Sequence, residues 1–267
     1  MSSRRWFAVA LTLAFTVVIT FLTLPIVAIF VNTSPRDLLA SLDDPVARDA
    51  LWLSLRTTAI SIGLILVIGT PAAYFLATRR FRGRTLAITL VELPLVLPPA
   101  VAGIALLAAV GPAGILGGAV GDVGLELVLE TAGVVVALAF VASPFYVRQA
   151  QAAFASVDPT LIDAARTLGA SEARAFARVA IPAAMPSLVA GTALALGRAL
   201  GEFGATLMFA GSLRGVTQTV PLAIYDRFST DFPAALALSA VLVALSAAIL
   251  LSVKLVAGAE VFGHARG

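Results

Sequence analysis

The sequence predicts an all-α membrane protein in which six transmembrane helices form one bundle, a single domain over residues 1–267. Of the 267 residues, 60% are hydrophobic and only 12% are charged, and the mean hydropathy is +1.02. Soluble globular domains carry about 25% charged residues, so the bilayer is the expected solvent. The apolar residues form continuous runs that fit helices of about 20 residues, instead of the short alternating segments of a membrane barrel.

Six apolar runs are long enough to cross a bilayer. The first run follows Ser3-Arg4-Arg5. It exceeds the roughly 7–15 apolar residues of a secretion signal, so we expect a retained helix instead of a cleaved leader. The predicted spans cover approximately residues 6–31, 52–77, 86–110, 131–153, 184–210 and 233–257.

Basic residues are distributed unevenly between the two sides of this bundle. Of the 18 basic residues, 12 lie near the termini or near the connections 78–85 and 154–183, and four lie in the connections 32–51, 111–130 and 211–232. By the positive-inside rule, both termini and the first two connections face the cytoplasm, and the other three face outward. The same asymmetry accounts for the pI of 9.9 without a nucleic-acid partner.

The residue inventory excludes several kinds of chemistry. There are no cysteines, hence no disulfide, thiolate metal site or cysteine nucleophile. The single histidine, His264, lies in the polar C-terminal tail. The spans contain neither a metal-ligand cluster nor a nucleophile beside a base, so we expect no catalytic residue, metal or cofactor on this chain. The only lysine, Lys254, does not stand in a Gly-x4-Gly-Lys-Ser/Thr loop, so we also expect no nucleotide site.

The connection 154–183 predicts two short helices on the cytoplasmic side. Asp158 is a candidate N-cap followed by Pro159 at the first helical position. Gly169 ends this helix, and Ser171-Glu172 begins the next one. Such a pair suits docking into a groove on another protein or, alternatively, lying on the bilayer surface as an amphipathic element. The apolar face of the first helix consists of Leu161, Ile162, Ala165 and Leu168.

Residues 163–182 carry a spaced motif. They read Asp-Ala-Ala, three residues, Gly, nine residues, and then Val-x-Ile-Pro. This resembles the EAA loop of ABC-importer permeases, Glu-Ala-Ala-x3-Gly-x9-Ile-x-Leu-Pro, with identical spacing and conservative replacements at the positions that differ. The resemblance implies the type I ABC importer permease fold in the cytoplasmic membrane and a separate ABC ATPase subunit that holds ATP and Mg. It assigns ATPase coupling to Asp163, Ala164, Ala165 and Gly169.

Two further stretches, residues 92–100 and 200–225, resemble the molybdate/tungstate branch of these permeases. The sulfate/thiosulfate branch is a near relative, and Phe203-Gly204-Ala205-Thr206 favours molybdate or tungstate. The resemblance implies a permease homodimer, an extracytoplasmic oxyanion-binding protein and import of the oxyanion. Two alternatives stay open. One is a sulfate/thiosulfate permease, and the other is an ion-coupled secondary transporter, for which the chain offers no convincing internal repeat.

Four charged residues fall within the predicted spans or at their edges, namely Arg56, Glu92, Arg198 and Glu202. A charge at the bilayer centre costs about 2.5–3.5 kcal/mol on insertion scales, so these side chains are expected to face protein or water. Arg198 and Glu202 are four residues apart and can pair on one helix face. They form either a structural ion pair or a polar lining of the translocation path.

The translocation path has further candidates in the third and fifth spans. Pro94, Pro98 and Pro99 each remove a backbone donor, so the third span either breaks at the path or only kinks. Neutral donors to an oxyanion are expected from Thr206, Ser212, Thr217 and Thr219. Close helix packing is expected from Gly197, Gly201 and Gly204. The principal path candidates are Glu92, Pro98, Pro99, Arg198, Glu202 and Thr206.

Overall fold

A computed structural model of the protein describes the backbone of residues 2–264 and the side chains of residues 6–253 and 255. Four basic residues of the topology prediction, and the single histidine, fall outside the described side chains: Arg4, Arg5, Lys254, Arg266 and His264. Over the described range the chain forms helices and no strand. In chain order these are α1 (Ser2–Val31), α2 (Pro35–Asp43), α3 (Pro45–Thr78), α4 (Arg84–Val96), α5 (Pro99–Val110), α6 (Gly117–Asp122), α7 (Thr131–Ala155), α8 (Pro159–Thr167), α9 (Glu172–Ala175), a π-helical turn (Phe176–Ala180), α10 (Ile181–Leu200), α11 (Gly204–Ala210), α12 (Val220–Phe228) and α13 (Phe232–His264).

The predicted all-α bundle is confirmed, with changes at the helix ends. The helices long and apolar enough to cross a membrane are residues 6–31 of α1, α3, α7, the continuous helix 172–200, and residues 232–253 of α13. α3 begins at Pro45 instead of residue 52. Asp44 accepts the Val46 N–H at 2.8 Å and proline fits the first helical position. The predicted connection 32–51 is therefore largely helical.

The third predicted span is broken instead of kinked. α4 ends at Val96 and α5 begins at Pro99, while Leu97 and Pro98 are extended with ψ of 131° and 137°. A proline disfavours helical conformation in the residue before it, so Pro98 keeps Leu97 out of the helix. Pro99 then occupies the first turn of α5, where its missing N–H removes no helical bond.

The prediction of one helix over residues 184–210 is wrong. α10 ends at Leu200, and residues 201–203 separate it from α11. The Glu202 carboxylate accepts the Ala205 N–H at 2.6 Å, which satisfies one of the free amides at the start of α11. A side-chain carboxylate thus replaces a backbone carbonyl as the acceptor for this N–H. The apolar pattern of the sequence continues through the break.

The centre of the bundle is α7, which packs against α3, α10 and α11. Hydroxyl groups tie it to α3: the Thr70 and Tyr146 oxygens are 2.6 Å apart, and Ser61 donates to the Val135 carbonyl at 2.9 Å. Small residues let the neighbouring helices approach closely. The fully buried alanines of α7 include Ala137, Ala142 and Ala150, each 0% exposed. α7 thus contacts the helices on both sides of each break, α4 and α5 at the first and α10 and α11 at the second.

One glycine between α5 and α11 has no space for a side chain. A Cβ atom on Gly103 would lie 2.6 Å from both the Ala205 carbonyl oxygen and Met208 Cβ. We expect Gly103→Val to lower the free energy of unfolding by about 1–3 kcal/mol through overpacking, measured by thermal denaturation of the purified protein in detergent. Gly118→Ala is the matched control, because a Cβ there meets nothing within 4 Å. Equal unfolding midpoints for both variants would contradict the packing of α5 on α11.

Candidate functional site

The two broken spans meet inside the bundle. α5 packs against α11, and a Cβ atom on Gly204 would lie only 2.7 Å from Pro99 Cβ. A buried cluster beside this contact consists of Ala102, Val141 and Ala205. Because Pro99 follows the first break and Gly204 the second, the fold brings together two stretches that the sequence presents more than 100 residues apart.

Of the three glycines predicted to pack closely, only Gly204 does so. A side chain on Gly197 would meet nothing within 4 Å, and one on Gly201 would meet only the Gly197 carbonyl oxygen, at 3.6 Å. The prediction of close helix packing is therefore correct for Gly204 and wrong, within one chain, for the other two.

Arg198 and Glu202 form the predicted ion pair at the second break. Arg198 Nη2 lies 2.5 Å from Glu202 Oε2, and the glutamate side chain is 1% exposed while the arginine side chain is 27% exposed. Glu202 stands beyond the last residue of α10, so the pair spans the helix end instead of lying on one helical face. Since Glu202 Oε1 also accepts the Ala205 N–H, this carboxylate fastens α10 to α11.

Two buried hydroxyl groups in this part of the chain have no partner among the described atoms. Thr206, in α11, is 0% exposed and its Oγ1 makes no hydrogen bond. Thr219, before α12, is 3% exposed, and its hydroxyl makes none either. A buried hydroxyl without a partner costs about 1–3 kcal/mol. Thr217 differs, because its hydroxyl oxygen accepts the Leu213 N–H at 2.8 Å. Thr206 and Thr219 therefore remain the better candidates for neutral donors.

The other two intramembrane charges lie apart from this pair. Glu92 Oε1 contacts Arg148 Nε at 2.6 Å, and this half-exposed bridge joins α4 to α7. Arg148 also donates to Gln151 at 2.7 Å. Arg56 is exposed on α3, and no described carboxylate lies within 4.0 Å of it. Glu92 thus joins α4 to α7 through its ion pair with Arg148. Its role in transport stays a prediction.

The connection 154–183 contains the predicted pair of short helices. Asp158 caps α8 by accepting the Thr160 N–H at 2.9 Å, and this hydrogen bond holds the pKa of Asp158 below its usual value. α8 ends in a left-handed turn, with Gly169 at φ +85° and the Ala170 N–H donating to the Ala165 carbonyl at 2.9 Å. Ser171 caps α9 by accepting the Arg174 N–H at 3.3 Å. Local sequence signals therefore determine this segment.

A small charge network crosses the connection. Arg166 contacts Asp163 at 3.1 Å and Glu172 at 2.8 Å, so α8 is tied to α9. The hydrogen bond to Glu172 is the largest of the effects that raise the pKa of Arg166. Asp163 and Ala164 are exposed and Ala165 is partly buried. The four residues predicted to couple to an ATPase thus lie on, or directly after, one exposed helix.

Leu168 does not share the apolar face predicted for it. α8 ends at Thr167, and the Leu168 side chain is 89% exposed, whereas Ile162 and Ala165 on the same predicted face are partly buried. A group of arginines that was not predicted as a site, Arg79, Arg80 and Arg84, lines a cavity together with residues of α8. Their clustering before α4 was the only sequence signal, and the positive-inside rule had already accounted for it.

Comparison with known proteins agrees with this architecture. Residues 65–259 match the family described as binding-protein-dependent transport system inner membrane component. The chain is 42% identical over 235 residues to the molybdenum transport system permease protein ModB of Mycobacterium tuberculosis, covering 88% of this chain and 89% of that protein. It is 37% identical over 202 residues to the sulfate transport system permease protein CysT of Salmonella typhimurium, covering 74% and 73%.

Solved structures share the fold. The chain superposes with a TM-score of 0.74 and 17% sequence identity on a chain of a bacterial alginate ABC transporter in complex with an alginate pentasaccharide-bound periplasmic protein, covering 96% of this chain and 93% of that chain. The fold is therefore that of an ABC importer permease. Together with the match over residues 65–259, this establishes that the chain belongs to the family of inner-membrane components of binding-protein-dependent transport systems.

Proposed function

We propose that this chain is the permease subunit of an ATP-driven importer that moves molybdate or tungstate across the cytoplasmic membrane. The observation that carries the proposal is the 42% identity to a molybdenum permease over 88% of the chain. The relation to a sulfate permease is weaker on both measures, at 37% identity over 74% of the chain. A sulfate or thiosulfate permease is the second candidate, because the chain also resembles a sulfate transport system permease protein over 74% of its length.

The energy source in this proposal is an ABC ATPase on a separate polypeptide. The sequence has no Gly-x4-Gly-Lys-Ser/Thr loop with which to hold a nucleotide. α8 and the turn after it offer the ATPase an exposed surface that includes Ala164 and Leu168. Two copies of the permease, each bound to one ATPase, complete the pathway, and an extracytoplasmic binding protein delivers the anion.

The continuous helix 172–200 supplies a mechanical link from α8 to the break. Its cytoplasmic end is held to α8 by the Arg166–Glu172 contact, and its other end is held to α11 by Arg198 and Glu202. A displacement of α8 on ATP binding therefore moves the contact between α5 and α11. The break then opens to one side of the membrane or the other.

The anion needs only weak attraction along such a path. The positive charge of Arg198 is balanced by Glu202. The free hydroxyl of Thr206 in α11 offers a neutral hydrogen bond in its place. A binding protein supplies most of the affinity, and a weak site in the permease lets the anion leave on the cytoplasmic side.

The membrane orientation in this proposal is testable because the chain contains no native cysteine. Thr160→Cys in α8 and Asp122→Cys in α6 both place a thiol at an exposed position. We expect a membrane-impermeant maleimide to label Asp122→Cys in intact cells and Thr160→Cys only after permeabilisation, because the positive-inside rule places α8 in the cytoplasm. The opposite labelling pattern would invert the topology.

The substrate is tested by competition in the complete system of permease, ATPase and binding protein. Labelled molybdate uptake into proteoliposomes is measured with excess unlabelled tungstate or excess sulfate. We expect tungstate to suppress uptake and sulfate to leave most of it, because the tungstate and molybdate tetrahedra are similar in size and larger than sulfate. Equal suppression by sulfate would return the assignment to the whole oxyanion class.

A further inference from the structure

A cavity of about 670 Å³ lies between the bundle and α8. Its walls come from the end of α3, the start of α4, the end of α7, and α8 with α9. This volume falls inside the range of about 300–1,000 Å³ that is typical of ligand pockets, and it is far larger than a bare tetrahedral oxyanion needs. No residue of the two breaks of the proposed path lines this cavity. A ligand larger than a bare oxyanion therefore fits this cavity better.

The charges around this cavity do not cancel. Four arginines line it, namely Arg79, Arg80, Arg84 and Arg166, against two acids, Asp163 and Glu172. Arg166 is fully engaged by both acids, at 3.1 and 2.8 Å. Arg79 reaches Glu172 only at 3.7 Å. Arg80 has no carboxylate within 4.0 Å among the described residues, so a positive surplus faces the cavity.

Arg84 is held in place by a backbone group. Its Nε donates to the Leu76 carbonyl at 2.8 Å, which satisfies one of the free acceptors at the end of α3. No described carboxylate lies within 4.0 Å of this side chain. Arg84 therefore adds a second arginine without a carboxylate partner to the lining of the cavity, and the bond to α3 holds its side chain.

Aromatic side chains form part of the wall of the same cavity. Tyr74 and Phe154 line it and stack edge to face with ring centres 5.3 Å apart, and Phe176 packs on Tyr74 at 4.6 Å. A lining that combines arginine and aromatic side chains suits an amphipathic anion. The planar guanidinium group matches phosphate geometry well, and basic pockets between helix ends on the cytoplasmic side bind the headgroups of anionic lipids.

We propose that this cavity binds the phosphate of an anionic phospholipid headgroup, with Arg80 as its principal ligand and Arg79 and Arg84 beside it. The proposal rests on the proposed function only for the side of the membrane on which the cavity opens. A headgroup there contacts both the α3–α4 junction and α8, so it braces α8 against the bundle. The lipid composition of the membrane then influences how tightly ATP hydrolysis is coupled to transport.

The test measures lipid binding to the full chain, delipidated in detergent and titrated with phosphatidylglycerol, by native mass spectrometry. We expect Arg80→Gln to weaken binding about fivefold, as for a loss of roughly 1 kcal/mol per basic residue. Arg82→Gln is the matched control, because Arg82 stands in the same connection and does not line the cavity. Glu172→Gln removes a competing acid and is expected to tighten binding about fivefold, a gain that misfolding cannot imitate.

Two further ligands identify the source of the phosphate. Phosphatidylcholine, which carries no net charge, is expected to bind weakly to every variant. Inorganic phosphate is expected not to displace phosphatidylglycerol. Equal binding by Arg80→Gln and Arg82→Gln, or inorganic phosphate binding as tightly as the lipid, would overturn the proposal. Neither measurement needs the ATPase or transport, so its failure is distinguishable from failure of the proposed function.

Discussion

Replacing Arg198 with methionine is expected to destabilise the protein more than replacing its partner Glu202 with glutamine. The glutamate side chain is 1% exposed, so Arg198→Met leaves a buried carboxylate without its cation. Breaking a buried pair in this way costs about 3–5 kcal/mol, a large part of a total stability of about 5–15 kcal/mol. Thermal unfolding in detergent and the amount of protein recovered from membranes measure the loss.

Glu202→Gln is expected to cost only about 1 kcal/mol, since an amide oxygen still accepts the Ala205 N–H. The remaining Arg198 side chain is 27% exposed, so it depends less on a buried partner than Glu202 does. The double variant Arg198→Met with Glu202→Gln is the control, and it is expected to recover much of the stability that Arg198→Met loses. Strictly additive losses in this cycle would show that the two side chains do not interact.

Ala164→Arg is expected to abolish ATP-dependent uptake, by at least about tenfold, while leaving the isolated permease as stable as the wild type. Ala164 is exposed on α8, and substitutions at such sites change stability by about 0.5 kcal/mol or less. A long guanidinium side chain in place of a methyl group obstructs a docking surface built around small side chains, so the ATPase is expected to dissociate. Co-purification of the two subunits and uptake into proteoliposomes measure the effect.

Ala164→Ser is the matched control for this prediction, because it keeps the small size of the side chain at the same position. We expect it to retain the ATPase and most of the uptake. If Ala164→Arg still co-purified with the ATPase and supported uptake, the docking surface would lie elsewhere. If Ala164→Arg unfolded at a clearly lower temperature, the loss of uptake would have a structural cause instead.

Local signals made the two short helices of the connection 154–183 predictable from the sequence. Asp158, Gly169 and Ser171 each act within a few residues of their own position, as an N-cap, a left-handed turn and a second N-cap. The Arg198–Glu202 pair was also predictable, because the short separation of the two residues keeps their side chains within reach even after α10 ends.

The break between α10 and α11 could not be predicted from the apolar pattern. Residues 184–210 read as one continuous apolar run, and the apolar pattern does not show that the Glu202 carboxylate binds both the Ala205 N–H and Arg198 inside the break. The start of α3 shows the opposite case. The sequence carried the Asp44-Pro45 capping signal, and hydropathy placed the span later because the first turns of this helix are charged.

The arginine cavity is a third case, which depends on tertiary packing alone. Arg80 and Arg166 are separated by more than 80 residues, and they line one space because α8, packed on α9 and the π-helical turn, lies near the end of α3. Sequence spacing carries no information about such a contact. A rule based on charge and topology explained each arginine separately and gave no reason to look for a shared site.

In the proposed function, a separate ATPase drives anion transport through this chain. The most direct measurement is labelled molybdate uptake into proteoliposomes that contain the permease and the binding protein, with or without the ATPase subunit. We expect accumulation only when the ATPase and ATP are both present, and none when a proton or sodium gradient is imposed on the permease alone. Uptake driven by an ion gradient without the ATPase would contradict the proposed ATP-driven import and identify an ion-coupled carrier.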